Sequence, residues 1–336
     1  MMPNNILQSL LTLQKRLESF NEEDNEMLIV RASNANAWFT PAYIVESIHG
    51  LAQMLSEKDL VQAIEQRSSE KNIGVILAGN IPAVGFQDIL YVLLAGSIAH
   101  VKLSTKDEFL IRYLVDQLIE IDASFSDKVK FTEKLVLDEL DGVVATGSDN
   151  TARYFEQYFS RVPHVIRKNR TSVAVLTGNE SQEELEQLAL DVILYFGLGC
   201  RNVTKLYTPE EYDFTPFLKI IEDNHKEQSF HSKYHNNYDY YKAIYLVECI
   251  EHLDNGVLLL KQDESVFSPL SVLYHESYAT LDELKGVLET KKGQIQVVVS
   301  SQEKMFERQV GFGKAQSPGL FDFPDGENIL TFIHSI

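Results

Sequence analysis

The stretch that decides the fold is Asn72-Ile73-Gly74-Val75-Ile76-Leu77-Ala78-Gly79-Asn80-Ile81-Pro82. Its short apolar run, closed by Gly79, Asn80 and Pro82, suits a buried strand that ends in a tight turn. On the C-terminal side the pattern alternates. A helix is expected from Gly85 to Ala95, a strand from Ile98 to Leu103 and a helix near 106–120. A strand near Lys128 to Phe131, a charged helical turn and a strand from Gly142 to Thr146 come next. Strands alternating with helices at this spacing predict an α/β protein with a parallel, doubly wound sheet. A ligand of such a sheet sits at the carboxyl ends of its strands, which is where the Gly79–Pro82 turn lies.

Before this stretch, Ile6, Leu10, Leu13 and Leu17 repeat at helical spacing, and Thr40-Pro41 supplies an N-cap and first-turn proline for a second helix carrying Ile44, Ile48, Leu51 and Leu55. Beyond it, a helix from Ala152 to Phe159 precedes a strand from Ser172 to Leu176. Ser181 with Glu184 forms a capping box for a helix whose apolar face is Leu185, Leu188, Val192 and Tyr195. That helix halts at Gly197-Leu198-Gly199-Cys200, a strand runs from Thr204 to Tyr207, and further helix and strand patterns follow at 209–225, 243–248, 256–260, 270–274, 280–290 and 294–300. The length of 336 residues favours two domains. They are expected at 1–170, binding a cofactor, and at 171–336, led by Cys200, with a C-terminal tail able to pack back on the first.

Lys and Arg number 30 against 49 Asp and Glu, a net charge of −19, and no basic block stands clear of acids, which argues against a nucleic-acid partner. The start MMPNNILQSLLTLQKRL lacks the features of a secretory signal, and no run approaches the roughly 20 apolar residues of a membrane span, so the expected location is the cytoplasm. Two cysteines are too few for a disulfide framework or a thiolate zinc site. Cys249, inside the apolar run IYLVECI, reads as a buried, inert thiol. Cys200 follows Gly197 and Gly199 and precedes Arg201. Glycines let backbone N–H groups approach a substrate, and a nearby guanidinium favours the nucleophilic thiolate. An inert buried thiol is the competing reading.

Four segments, taken in order, resemble the aldehyde dehydrogenase superfamily. AGNIPAVG (78–85) is similar to the turn whose asparagine, Asn80, aims its amide at the reacting carbonyl. LLAGSIAHVKLS (93–104) is similar to the strand carrying the cofactor-ribose lysine, Lys102, with Ser104 beside it. VVATGSDNTARYF (143–155) resembles the turn, here Gly147 and Ser148, whose following helix faces the cofactor, and GLGCRNVTKLYTP (197–209) resembles the nucleophile loop, with Cys200 as the nucleophile. Within the superfamily, the WFTP segment (38–41) and FGKAQSPGLFDFPDG (312–326) resemble the LuxC-like acyl-CoA reductases. The resemblance implies two doubly wound α/β domains with the active site in the cleft between them. It implies an NADPH- or NADH-dependent reduction of acyl-CoA to aldehyde through a Cys200 acyl-enzyme. Another acylating aldehyde dehydrogenase, an acyl-phosphate reductase or a catalytically silent binding or assembly module are the alternatives, and a homo-oligomer is left open. Hydrolytic members of the superfamily carry a water-activating glutamate, and its place in VIRKNR (165–170) falls on Ile166, which cannot take a proton from water.

Other patterns read as secondary. Gly197-x-Gly199 lacks the third glycine of a dinucleotide fingerprint, and GFGKA (311–315) lacks the spacing of a phosphate loop and reads as a turn. DESVFSP (263–269) resembles the superfamily's nicotinamide-ribose segment and makes Glu264 a cofactor candidate, with a surface carboxylate as the equal alternative. Arg161, Arg167, Lys168 and Arg170 form either a phosphate-binding cluster or a solvated strand edge. His231 and His235 have helical i, i+4 spacing, but with no HExxH pattern and many Asn and Ser nearby, 225–241 reads as an exposed loop and no metal is expected.

Overall fold

The computed structural model describes residues 3–65, 70–302, 304 and 306–336, which form two compact units: residues 1–169 with 317–336, and residues 170–316. In the first, helices α1 (Pro3–Glu18), α2 (Glu26–Ala35), α3 (Pro41–Met54) and α4 (Glu57–Glu65) precede the sheet. Ile6, Leu10, Leu13 and Leu17 form the buried stripe of α1. The Thr40 hydroxyl accepts the Tyr43 N–H to start α3, as its sequence predicts. Then come β1 (Asn72–Ile76), α5 (Phe86–Leu94), β2 (Ile98–Lys102), α6 (Glu108–Ile121), β3 (Val129–Phe131), β4 (Gly142–Thr146), α7 (Asp149–Tyr158) and β5 (His164–Arg167). The strand order is β3-β2-β1-β4-β5, with every pair parallel. Ile73 and Val75 of the central strand are fully buried, as a strand covered on both faces requires.

The second unit contains β6 (Thr171–Val175), α8 (Gln182–Ile193), β7 (Val203–Pro209), α9 (Thr215–Asn224), α10 (Ser232–Val247), β8 (Leu253–Asp254), β9 (Leu259–Gln262), β10 (Val272–Tyr278), α11 (Leu281–Lys291), β11 (Ile295–Val299) and β12 (Gln309–Val310). Its sheet runs β12-β11-β6-β7-β10-β9-β8, parallel except where β8 meets β9. The Ser181–Glu184 capping box is present at the start of α8. The last helix, α12 (Ile329–Ser335), packs in the first unit, its Ile329, Leu330 and Ile333 fully buried.

Two expectations fail. Residues 225–241 are not an exposed loop: most form α10, because Tyr234, Tyr238 and Tyr245 lie on one buried face among the Asn and Ser residues that masked the period. Cys249 is not buried, since α10 ends at Val247 and the thiol stands exposed in the left-handed turn beyond it, at φ +53°. Among the described residues no helix is long and apolar enough to cross a membrane.

Candidate functional site

After β1 the chain runs through an irregular loop to α5, with Asn80 exposed on a bend just past the strand's carboxyl end. Three contacts hold this loop. The Ser47 hydroxyl of α3 donates to the Pro82 carbonyl. Gly79 lies so close to Ser104 that a Cβ would run into that side chain, a close approach only glycine permits. Ala83, in the left-handed region at φ +57°, donates its N–H to Oδ2 of Asp107 at 2.7 Å. Asp107 is 2% exposed, and its Oδ1 has no hydrogen-bond partner among the described residues. Burial pushes this carboxyl up to about 8, with the Ala83 N–H pulling the other way.

Lys102 is the exposed last residue of β2, and Gly147 and Ser148 form the turn after β4. The Ser148 hydroxyl accepts the Thr151 N–H to cap α7, and a Cβ on Gly147 would meet Thr151 and Phe155 at 3.1 and 3.2 Å. Lys102 and α7 border one groove of 580 Å³, lined by Ile76, Lys102, Lys134, Tyr154, Phe155 and Tyr158 among others. Its lining holds two ammonium groups and no carboxylate. Glu156, the carboxylate of α7 within that span, is paired with Lys168 at 2.8 Å. Aromatic faces beside two cations fit an anionic ligand that carries a flat ring.

The expected cation cluster does not form one surface. Arg167 is turned inward from the end of β5 and pairs with Asp88 of α5 at 2.6 Å, while Lys168 is engaged by Glu156. Nε and Nη2 of Arg167 have no hydrogen-bond partner among the described residues. Ile166 is half-buried next to it.

In the second unit α8 ends at Ile193, and Tyr195, Phe196 and Gly197 follow with φ of +53°, +57° and +76°, so the chain reverses sharply before Cys200. Asn202, fully buried, holds this reversal. Its Nδ2 donates to the carbonyls of Asp191, Val192 and Leu194 at 3.2, 3.3 and 2.8 Å, satisfying orphan acceptors at the helix end. Its Oδ1 accepts the Gly199 N–H at 2.8 Å. Cys200 is half-buried, and its carbonyl accepts a hydrogen bond from the Ser172 hydroxyl of β6 at 3.1 Å. Phe196 stacks near His231 and Tyr234 of the α10 start, with ring centroids 4.4 and 5.8 Å apart. Asp191 reaches the segment 311–316: its oxygens accept the Gly313 and Ala315 N–H groups at 2.7 and 3.0 Å. Burial pushes its carboxyl up to about 6, against those two N–H groups and Lys314.

Glu264 is exposed in the turn between β9 and β10, and its carbonyl accepts from Lys291 Nζ at 2.7 Å. Thr204 and Lys205 of β7 anchor the same turn by donating to the carbonyls of Val266 and Asp263 at 2.5 and 2.7 Å. Lys102, Ser104, Gly147, Ser148 and Asn80 thus share the strand ends of one sheet, and Cys200 and Glu264 lie on loops tied to β7 of the other. The histidine pair has structural work instead: His231 accepts the Tyr234 N–H at the start of α10, and His235 contacts Asp239 at 3.3 Å. No cluster of three or more metal-binding side chains occurs among the described residues. The sequence reading missed Asp107, Asp191, Asn202, Lys134 and the α7 tyrosines. Asn202 had one available signal, a polar side chain wedged between a Gly-Cys turn and a strand, while the two aspartates look like ordinary helix residues.

A family model described as Acyl-CoA reductase (LuxC) matches residues 41–216. A long-chain acyl-protein thioester reductase of Aliivibrio fischeri is 23% identical over 202 residues, 55% of this chain and 41% of that protein. The match thus spans about two fifths of the curated relative's length. Among solved structures, an aldehyde dehydrogenase of Mycobacterium tuberculosis complexed with NAD+ superposes with TM-score 0.66 at 12% identity, covering 98% of this chain and 84% of that one. The NAD+ complex of an aldehyde dehydrogenase from Bacillus cereus gives 0.64 at 12% identity over 91% and 73% of the two chains. A propionaldehyde dehydrogenase from the Clostridium phytofermentans fucose utilisation microcompartment gives 0.62 at 10% identity over 91% and 79%. Identities this low establish the fold alone, and that fold is the two-domain α/β architecture of aldehyde dehydrogenases. With more than half of its residues matched by the family model, the chain belongs to the LuxC acyl-CoA reductase family.

Proposed function

We propose that this protein reduces an acyl thioester to the aldehyde, with Cys200 carrying the acyl group and NADPH as the reductant. The observation that carries the reading is the turn around Cys200: Asn202 and three successive left-handed residues shape a half-buried thiol between Gly199 and Arg201. An inert cysteine needs no such frame. The thiolate attacks the thioester carbonyl, a new C–S bond forms, and the donor's thiolate leaves and takes up a proton. One thioester replaces another, with little change in free energy. Asn80 and the Cys200 N–H are the proposed donors to the developing oxyanion, each contributing about 2.7 to 4 kcal/mol in sites of this kind.

A reduced nicotinamide, when bound, supplies the hydride that converts the acyl-enzyme to a thiohemiacetal. Lys102, Ser104, Gly147 and Ser148 are its proposed holders in the first unit, with Glu264 a candidate for the nicotinamide ribose. The carboxylate-free pair Lys102 and Lys134 favours a ligand with an extra phosphate, hence NADPH over NADH. Collapse of the thiohemiacetal breaks the C–S bond, releases aldehyde and returns the thiol. Ile166, standing where hydrolytic relatives carry glutamate, leaves water unactivated, so the acyl group survives until reduced. The donor is acyl-CoA in this reading. The name of the Aliivibrio relative raises an acyl-protein thioester as the other donor.

Incubation with acyl-CoA and no reductant, read by mass spectrometry, should show one acyl adduct, on Cys200. With NADPH added, free CoA thiol and NADP+ should appear in equal amounts. If Cys200→Ala leaves that coupled rate untouched, the assignment of the nucleophile is wrong.

A further inference from the structure

We infer that Asp191 is a positioning residue for the nucleophile: acting through Arg201, it fixes the guanidinium that keeps the Cys200 thiol ionised. This rests on the reading of Cys200 given above.

Asp191 lies in the last turn of α8 and is 1% exposed, and both of its oxygens are spent on a distant segment. They accept the N–H groups of Gly313 and Ala315. The carbonyl of Ala315 in turn accepts from Nη1 of Arg201 at 3.4 Å, on the residue that follows Cys200. The segment sits flush on the helix: Gly313 has φ +72°, and a Cβ there would run into Gln187, one turn earlier on α8. The backbone carbonyl of Asp191 also accepts from Asn202, whose Oδ1 holds Gly199, the residue before Cys200. Both neighbours of the thiol are therefore tied back to residue 191, one through an amide and the other through the segment 313–315. The charged groups of this frame are Asp191 on α8, Lys314 on the segment and Arg201 on the turn. A guanidinium held near a thiol lowers its pKa, and one free to swing into water does so less.

The chain has two cysteines, so Cys249→Ser, which removes the exposed thiol in the turn after α10, leaves Cys200 as the sole target of iodoacetamide. Alkylation rates from pH 5 to 10 then give its apparent pKa. Arg201→Gln should move that pKa toward the ordinary cysteine value of about 8.5 and slow alkylation at pH 7 on the order of tenfold. Asp191→Asn offers one acceptor where two N–H groups need one each, and should shift the profile in the same direction. In the Arg201→Gln background it should add nothing, because the two residues act in series. An unchanged profile in Asp191→Asn, or an equal shift in both backgrounds, overturns the inference. Should Asp191→Asn fail to fold, Arg201→Gln decides alone, since an unmoved thiol pKa leaves Asp191 nothing to act through. Alkylation does not depend on turnover, so an active Cys200→Ala enzyme would sink the nucleophile assignment by a separate result.

Discussion

Replacement of Asp107 by Asn tests whether the loop carrying Asn80 is held by a carboxyl that stays neutral at physiological pH. Burial raises Asp107 from 3.8 to about 8, so between those values the folded protein keeps a proton that the unfolded chain has lost. A raised carboxyl contributes stability that is fully present below the unfolded value and is lost as pH climbs through the folded one. Within that window the loss is about 1.4 kcal/mol per pH unit, or about 2.7 kcal/mol from pH 5.5 to 7.5. Asn does not titrate, yet its Oδ1 can still accept the Ala83 N–H. The wild type should therefore lose stability relative to Asp107→Asn across the window, and the two should run parallel above about pH 8. Trp38, the protein's only tryptophan, packs against the core of the first unit, so its fluorescence during urea unfolding reports on that unit. Parallel pH dependence from 5.5 to 7.5 would show that Asp107 is ionised throughout, and the account of this loop would be wrong.

Two further perturbations bear on the same unit. Arg167→Met leaves Asp88 buried and unpaired and should cost about 3 to 5 kcal/mol in the Trp38 unfolding assay, whereas Arg167→Met with Asp88→Leu should recover most of it. Singles costing under about 1 kcal/mol would mean the pair is solvated. Ile166→Glu places a carboxylate at the position that the proposed function leaves without a base for water, and should raise NADPH-independent release of CoA thiol on the order of tenfold or more. No rise would separate residue 166 from control of water.

The sequence made the order of elements legible because parallel strands are short apolar runs closed by turn residues, as at 72–82 and 142–148, and because Thr40 and Ser181 announce their helices through cap chemistry. It also placed Lys102, Gly147 and Ser148 at strand ends. Most of what it hid has one cause: the pairing partners are distant in the chain. Arg167 reads as a surface cation until Asp88, 79 residues earlier, neutralises it. Asp191 reads as a polar helix residue until Gly313 and Ala315 arrive more than a hundred residues later. The turn at Cys249 was hidden differently, because an apolar run gives no warning that a helix ends inside it.

The two candidate loops are built with the same device. In each unit a buried aspartate accepts main-chain N–H groups from a segment containing a residue in the left-handed region, Ala83 in one and Gly313 in the other. A left-handed residue breaks regular hydrogen bonding, so its neighbours' N–H groups need an acceptor from elsewhere. A carboxyl supplies two acceptor atoms on a short side chain, which suits a crowded strand end or helix end. Burial raises both carboxyls, Asp107 to about 8 and Asp191 to about 6, and against it stand one accepted N–H group at Asp107 but two at Asp191 together with the Lys314 charge.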